Sequence, residues 1–145
     1  MRRWLGVSLA VLALCGGAPL SAQELLRQEG PRSGFSLEQN YPNPFNPETR
    51  IPFVLAPDLF AEGRAPVVTI RIFNIIQQVV AVPTALRHPL GEGVPVANLG
   101  YASPGRYEAY WDGQDSNGRQ VASGIYLMQL SVNGVSQTRK MYVTK

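Results

Sequence analysis

The sequence predicts an all-β domain built as two stacked antiparallel sheets, and three observations predict it. Short apolar runs alternate with polar residues, and none after the N-terminal segment carries a helical period. Gly and Pro, 14 and 12 of the 145 residues, punctuate the spaces between those runs. Near the C-terminus Asn133-Gly134 separates two alternating segments. That pair signals a tight hairpin, because a type I′ turn needs positive φ at both central residues.

Residues 1–22 have the three-part layout of a secretory signal peptide: Arg2 and Arg3, an apolar run from Trp4 to Leu14, then small and turn-forming residues to Ser21 and Ala22. Cleavage is expected between Ala22 and Gln23. The apolar run falls short of the roughly 20 residues that span a bilayer. A lipid-anchored alternative would use Cys15, but Leu14 stands where a small residue is needed. Cleavage after Ala22 removes Cys15, so the mature chain has no disulfide, thiol nucleophile or thiolate metal ligand. The chain is then 145 − 22 = 123 residues, suited to one domain. Its 13 − 2 = 11 basic residues face 10 acids. With that balance, and no Lys/Arg run interleaved with aromatics, nucleic acid is not an expected partner. The expected location is the periplasm in transit, then the cell surface or the medium, with no integral membrane segment once the signal is gone.

Residues 23–34 (QELLRQEGPRSG) are polar and end in Gly, Pro and Ser, which reads as a flexible leader to a domain of residues 35–145. Phe35, Leu37 and Tyr41 begin the apolar content, and Pro42, Pro44, Pro47 and Pro52 then hold the backbone extended or turned. Arg50 to Leu55 places Ile51, Phe53 and Leu55 on one face, and Pro52 argues for a sheet edge. Ala56 to Ala61 can form one helical turn. Val67 to Phe73 turns Val68, Ile70 and Ile72 one way, with Gln78 to Val82 as its hairpin partner across Asn74 to Gln77. Pro83 to Gly100 reads as a long connection with at most one short strand near Val94 to Ala97. Gly105 to Trp111 aligns Tyr107, Ala109 and Trp111, and the Asn133-Gly134 turn joins Ile125 to Val132 with Val135 to Val143. About seven strands result, spaced as in a Greek-key sandwich.

Three segments, Leu37 to Leu55 (LEQNYPNPFNPETRIPFVL), Ile70 to Val80 (IRIFNIIQQVV) and Trp111 to Lys145, together resemble the C-terminal sorting domain of type IX secretion cargo. The same pattern is similar to the immunoglobulin-like domain of the flagellar hook-capping protein. The resemblance covers roughly Phe35 to Lys145 and implies an immunoglobulin-like sandwich. It also implies a sorting or attachment role, with an outer-membrane export or attachment machine as partner. The family commonly has Gly followed by Gln in the hairpin after Phe73, where this chain has Gln77-Gln78. A left-handed residue there costs roughly 1 kcal/mol, unless the turn is remodelled.

Candidate sites follow from these motifs. Asn43-Pro44 and Asn46-Pro47 are either a recognition epitope of low entropy cost or a rigid cover over a sheet edge. Arg139, Lys140 and Lys145 resemble the basic ending of the family's export signal, and a solvated strand face explains them equally well. Asp112, Asp115 and Asn117 in WDGQDSNG form an acidic loop that could hold calcium. Their spacing lacks the ligand ladder of a helix-loop-helix calcium site, and aspartates capping their own turn are the favoured alternative. A calcium-assisted or glycan-binding module built on these residues and exposed aromatics is the rival function. Trp111 is expected in the core with Phe53, Ile70, Ile72, Tyr107, Ile125, Leu127 and Tyr142. No enzyme and no cofactor are expected: His88 is the sole histidine, Ser123 lacks the flanking glycine of a nucleophile elbow, and no carboxylate pair sits on a recognisable scaffold.

Overall fold

Alternation decides which side of each strand is buried, and the computed structural model shows that choice for residues 34–145, the residues described here. The expected signal peptide of residues 1–22 and the expected leader up to residue 33 lie outside them. Nine strands follow in order: β1 (Phe35–Leu37), β2 (Thr49–Leu55), β3 (Val67–Phe73), β4 (Val79–Ala81), β5 (Thr84–Ala85), β6 (Leu99–Gly100), β7 (Gly105–Trp111), β8 (Gly124–Val132) and β9 (Val135–Val143). A short 3-10 helix, Pro57–Gly63, with proline in its first turn, stands where the sequence allowed a single helical turn. The strands form two antiparallel sheets, sheet A in the order β1-β2-β7-β5 and sheet B in the order β4-β3-β8-β9, with β6 also paired to β3.

The inward faces of both sheets supply one core. Ile51, Phe53 and Leu55 of β2, Val68, Ile70 and Ile72 of β3, and Ala109 and Trp111 of β7 are buried, as their alternation predicts. On β8 the expected face is reversed. Tyr126, Met128, Leu130 and Val132 point inward, and Ile125 and Tyr142 are exposed, with Leu127 half-buried. The register explains it: Asn133-Gly134 closes on the pair Val132↔Val135, which puts every even position of β8 on one face. All four even residues are apolar, whereas the odd set carries Gln129 and Ser131. On β9 the same register buries Met141 and Val143.

Two further expectations are corrected. Pro52 does not mark an edge, because β2 lies between β1 and β7. The carbonyl of Pro52 accepts from the Glu38 amide (3.0 Å), and the ring nitrogen faces the same flank, where β1 has already ended at Leu37. The missing donor therefore removes no bond from the β1 ladder. The stretch from Pro83 to Gly100 holds two short strands, β5 and β6. Between them residues 94–96 cross from one sheet to the other: Val94 O accepts from Ala85 N (2.7 Å) and Val96 O from Ile70 N (2.9 Å).

The β3–β4 turn keeps its left-handed residue. Gln77 has φ of 62°, and Asn74 steadies the turn by accepting from Ile76 N (3.2 Å) and Gln78 N (2.9 Å) through its Oδ1. Because the strain stays in a non-glycine residue, Gln77→Gly should stabilise the fold by about 0.5–1 kcal/mol. Urea unfolding checks this, and a destabilised variant would show that the Gln77 side chain matters more than its backbone.

Candidate functional site

The Asn-Pro loop is held at its own base and by two segments distant in sequence, Trp111 to Gly113 and Tyr142 to Thr144. Its base closes through Asn40, whose Nδ2 donates to Pro42 O (3.2 Å) and Thr49 Oγ1 (3.0 Å), while Tyr41 and Arg50 exchange both backbone bonds. Asn40 and Thr49 are buried polar residues, and no side-chain polar atom buried among the described residues lacks a partner. At the loop's centre Phe45 is 1% exposed and meets Trp111 edge-on with ring centroids 5.4 Å apart. Trp111 in turn meets Tyr126 at 5.9 Å and donates its Nε1 proton to Gln114 O. The tryptophan is thus core, as its place at a strand end predicts.

The same loop lies along the end of β9. Phe45 bridges Val143 in parallel. Phe45 N donates to Tyr142 O (3.0 Å), Thr144 N to Phe45 O (3.0 Å), and Tyr142 N to Asn43 Oδ1 (3.0 Å). On its other flank the loop touches the WDGQDSNG turn, where the carbonyl of Pro47 sits so close to Gly113 that an added Cβ would lie 2.2 Å from it. Asn43, Pro44, Asn46 and Pro47 are all exposed at this junction, and Lys145 is exposed just beyond it. The Asn-Pro segment thus covers the end of a strand edge, with Phe45 buried and Asn43, Pro44, Asn46 and Pro47 exposed around it.

Arg139 and Lys140 part company. Arg139 Nε donates to Leu37 O (2.7 Å), while Gln137 accepts from Leu37 N and donates to Phe35 O, both at 2.9 Å. These two side chains serve the open flank of β1 in place of a further strand. Gln39 Nε2 donates to Lys140 O (2.9 Å). The Lys140 side chain points out from sheet B and forms no ion pair with a carboxylate among the described residues.

The aspartates spend oxygens on their own backbone. Asp112 Oδ1 accepts from Gln114 N (3.0 Å), and Asp115 Oδ1 from Asn117 N (2.9 Å) and Arg119 N (3.0 Å). Asn117 contributes its backbone amide to this turn. Among the described residues no three His, Cys, Asp or Glu side chains stand together as metal ligands. Millimolar calcium should accordingly leave the melting temperature unchanged, and a clear rise would return the loop to candidacy. His88 is also locally engaged: Nδ1 accepts from Leu90 N (3.1 Å), so Nε2 donates to Gly100 O (2.9 Å).

The outward face of sheet A is an ion-paired network. Arg106 joins Glu38 (3.0 Å) and Glu108 (3.3 Å), Arg50 lies 3.6 Å from Glu108, and Tyr41 Oη donates to Glu108. Tyr110 Oη donates to Glu48, and this bond, aided by burial, pushes Tyr110 up to about 12. Tyr101 is also pushed up to about 12, there chiefly by burial. Since the neutral phenol is the favoured form, what Tyr110 adds to stability is fully present below its ordinary value near 10 and fades as pH rises through about 12. Glu48→Ala should return Tyr110 toward 10 and leave Tyr101 in place, read by tyrosinate absorbance. An unchanged titration would show that Glu48 does not govern Tyr110.

Phe45 and Gly113 at this junction, and Gln137 against β1, are the residues that sequence reasoning missed. An aromatic set between two Asn-Pro steps was the available signal for Phe45. Fold and junction define a class, a two-sheet β sandwich whose Asn-Pro loop and C-terminal strand form one surface. No family model and no curated protein matches the sequence. Two solved structures are distantly similar. One is PorZ, a bacterial surface component of the type IX secretion system of Porphyromonas gingivalis (16% identity, TM-score 0.44, covering 76% of this chain and 12% of that one). The other is the Pseudomonas fluorescens alkylpurine DNA glycosylase AlkC bound to DNA with an abasic-site analogue (14% identity, TM-score 0.46, covering 77% of this chain and 31% of that one). The chain spans less than a third of either structure. Among the described residues no helix is long and apolar enough to cross a membrane.

Proposed function

We propose that the chain is a secreted, non-catalytic, immunoglobulin-like sandwich that serves type IX-like sorting or surface attachment, read by an outer-membrane export or attachment machine. One observation carries the reading. Parts of two of the three segments by which the sequence resembles a sorting domain, NYPNPFNP of the first and WDGQDSNG with the C-terminal strand of the third, come together at the Phe45–Val143 bridge and the Pro47–Gly113 contact. Such a junction presents Asn46, Pro47 and Lys145 in fixed relation at low entropy cost. Recognition here uses displayed side chains and shape. The backbone groups of Tyr142 and the amide of Thr144 are already bonded to the loop, which leaves little for strand addition at that end of β9.

The test is a reporter placed between residues 1–22 and residues 23–145 in a bacterium that has a type IX machine. The reporter should become accessible to external protease. Combining Asn46→Ala with Lys145→Glu should lower that accessible fraction severalfold at an unchanged melting temperature. A folded fusion that stays in the periplasm would overturn the sorting role.

A further inference from the structure

The two sheets differ sharply in charge. Among the described residues, all of the ion pairs outside the Glu62–Arg64 contact lie on sheet A, whereas the strands β3, β4, β8 and β9 of sheet B contain Arg71, Arg139 and Lys140 and no acidic residue. Arg139 is turned to β1. Arg71 and Lys140 stand on the outward face of sheet B with no carboxylate partner among the described residues.

Between those two cations the outward face carries an open groove of mixed character, with Phe73 and Leu127 in its lining. Phe73 pairs with Leu127, and Leu127 with Lys140, in one cross-strand row, and Arg71, Gln129 and Thr138 form the next. Phe73, Leu127, Gln77, Gln129 and Thr138 line a groove of about 250 Å³, large enough for one aromatic or branched side chain. Phe73 and Leu127 are half-buried, so the apolar surface is recessed. Gln129, Thr138 and Gln77 add directional donors and acceptors at its margin. The register puts Arg71 and Lys140 two strands and one row apart, about 12 Å between backbone positions from standard sheet spacings.

We infer that the outward face of sheet B is a docking site for an acidic protein segment. Its occupant is an extended stretch with an aromatic or branched aliphatic anchor in the Phe73–Leu127 groove and a carboxylate two residues to either side, one for Arg71 and one for Lys140. In an extended chain those two carboxylates lie about 13 Å apart along the backbone, with the anchor between them on the same face. This matches the diagonal of the two cations, and a reversed charge pattern would meet repulsion at both ends. A membrane surface fits less well, because insertion calls for protruding apolar side chains and this groove is concave. The exposed Ile75 and Ile76 at the neighbouring turn make an anionic bilayer the competitor to test.

The inference builds on the reading of the molecule as a recognition module, and the experiment separates the two. A fluorescent peptide carrying Asp-Ser-Phe-Ser-Asp is titrated into the purified protein at low salt and followed by anisotropy. Binding should saturate, and a peptide of the same composition in scrambled order should bind at least fivefold more weakly. Combining Arg71→Glu with Lys140→Glu should weaken binding at least tenfold at an unchanged melting temperature, and that variant should prefer Lys-Ser-Phe-Ser-Lys. Leu127→Asp should abolish binding; should it fail to fold, the charge swap still decides. Absence of saturation, equal affinity for the scrambled peptide, or indifference to the charge reversal would overturn the inference. Vesicles of phosphatidylglycerol in phosphatidylcholine provide the other arm. Vesicle binding that the reversal abolishes, with no peptide binding, would assign the face to a membrane. Loss of peptide binding with export intact removes this inference alone, and periplasmic retention with peptide binding intact removes the sorting role alone.

Discussion

A chain ending at Lys140 should fail to hold a native fold. The truncation removes Met141 and Val143, which are 0% and 3% exposed, and burying a side chain of either kind contributes about 1.5–3 kcal/mol. It also leaves Gly124, Ile125 and Tyr126 without partners on β9 and frees Asn43 and Phe45 from Tyr142 and Thr144. The combined loss is about 5 kcal/mol or more, comparable to the whole stability of many domains this size. Near-ultraviolet circular dichroism and urea unfolding read the outcome. Removing Lys145 alone, an exposed terminal residue, should change stability by less than about 0.5 kcal/mol. A cooperative transition of native midpoint in the five-residue truncation would show that the end of β9 is dispensable. Export defects caused by that truncation therefore report folding as well as recognition, which is why single outward-facing substitutions are the better probe.

The second large effect separates two glycines of the same turn. Gly113 and Gly118 both have φ of +77°, so alanine at either bears the cost of a left-handed conformation, about 1–2 kcal/mol. They differ in what a Cβ would meet. At Gly118 the nearest atom is Gln114 Oε1 at 4.0 Å, whereas at Gly113 the Pro47 carbonyl would stand at 2.2 Å and Gln120 Nε2 at 2.7 Å. One of those obstacles is backbone, so relief requires the Asn-Pro loop to move off Trp111. Gly118→Ala should cost about 1 kcal/mol, and Gly113→Ala about 3 kcal/mol or more, since overpacking adds roughly 1–3 kcal/mol to the conformational strain. Tryptophan fluorescence should shift in the second variant alone. Equal destabilisation of the two would show that the loop yields freely and that the Pro47–Gly113 contact does not position it.

Much of the sandwich was legible because period-two alternation is strong where one face is buried. Val67 to Phe73 and Gly105 to Trp111 begin and end where the pattern places them, and the Asn133-Gly134 turn sets the register of the last hairpin. β8 was read on the wrong face because both of its faces start apolar, Ile125 and Leu127 against Tyr126 and Met128. Only Gln129 and Ser131, later in the strand, break the tie. β5 and β6 were missed because two-residue strands carry no period at all; their bonds come from segments brought alongside by the rest of the fold. The same limit applies to the site. Local chemistry marked the Asn-Pro clusters and the two turn-capping aspartates. The bridge from Phe45 to Val143 and the service of β1 by Gln137 and Arg139 are long-range and leave no local trace.

That separation has a kinetic meaning. Leu37 is joined to Gln137 and Arg139, and Asn43 to Tyr142, across 99 to 102 positions of chain. Contacts so remote must wait for nearly the full polypeptide, and folds dominated by them form slowly. A chain emerging N-terminus first could pair β1 with β2 and close the base of the Asn-Pro loop early, but would leave the other flank of β1 and the Phe45 end of the loop without their β9 partners until that strand arrives. In the secreted protein proposed above, such a delay would keep the domain threadable during passage across a first membrane and let it set only on the far side.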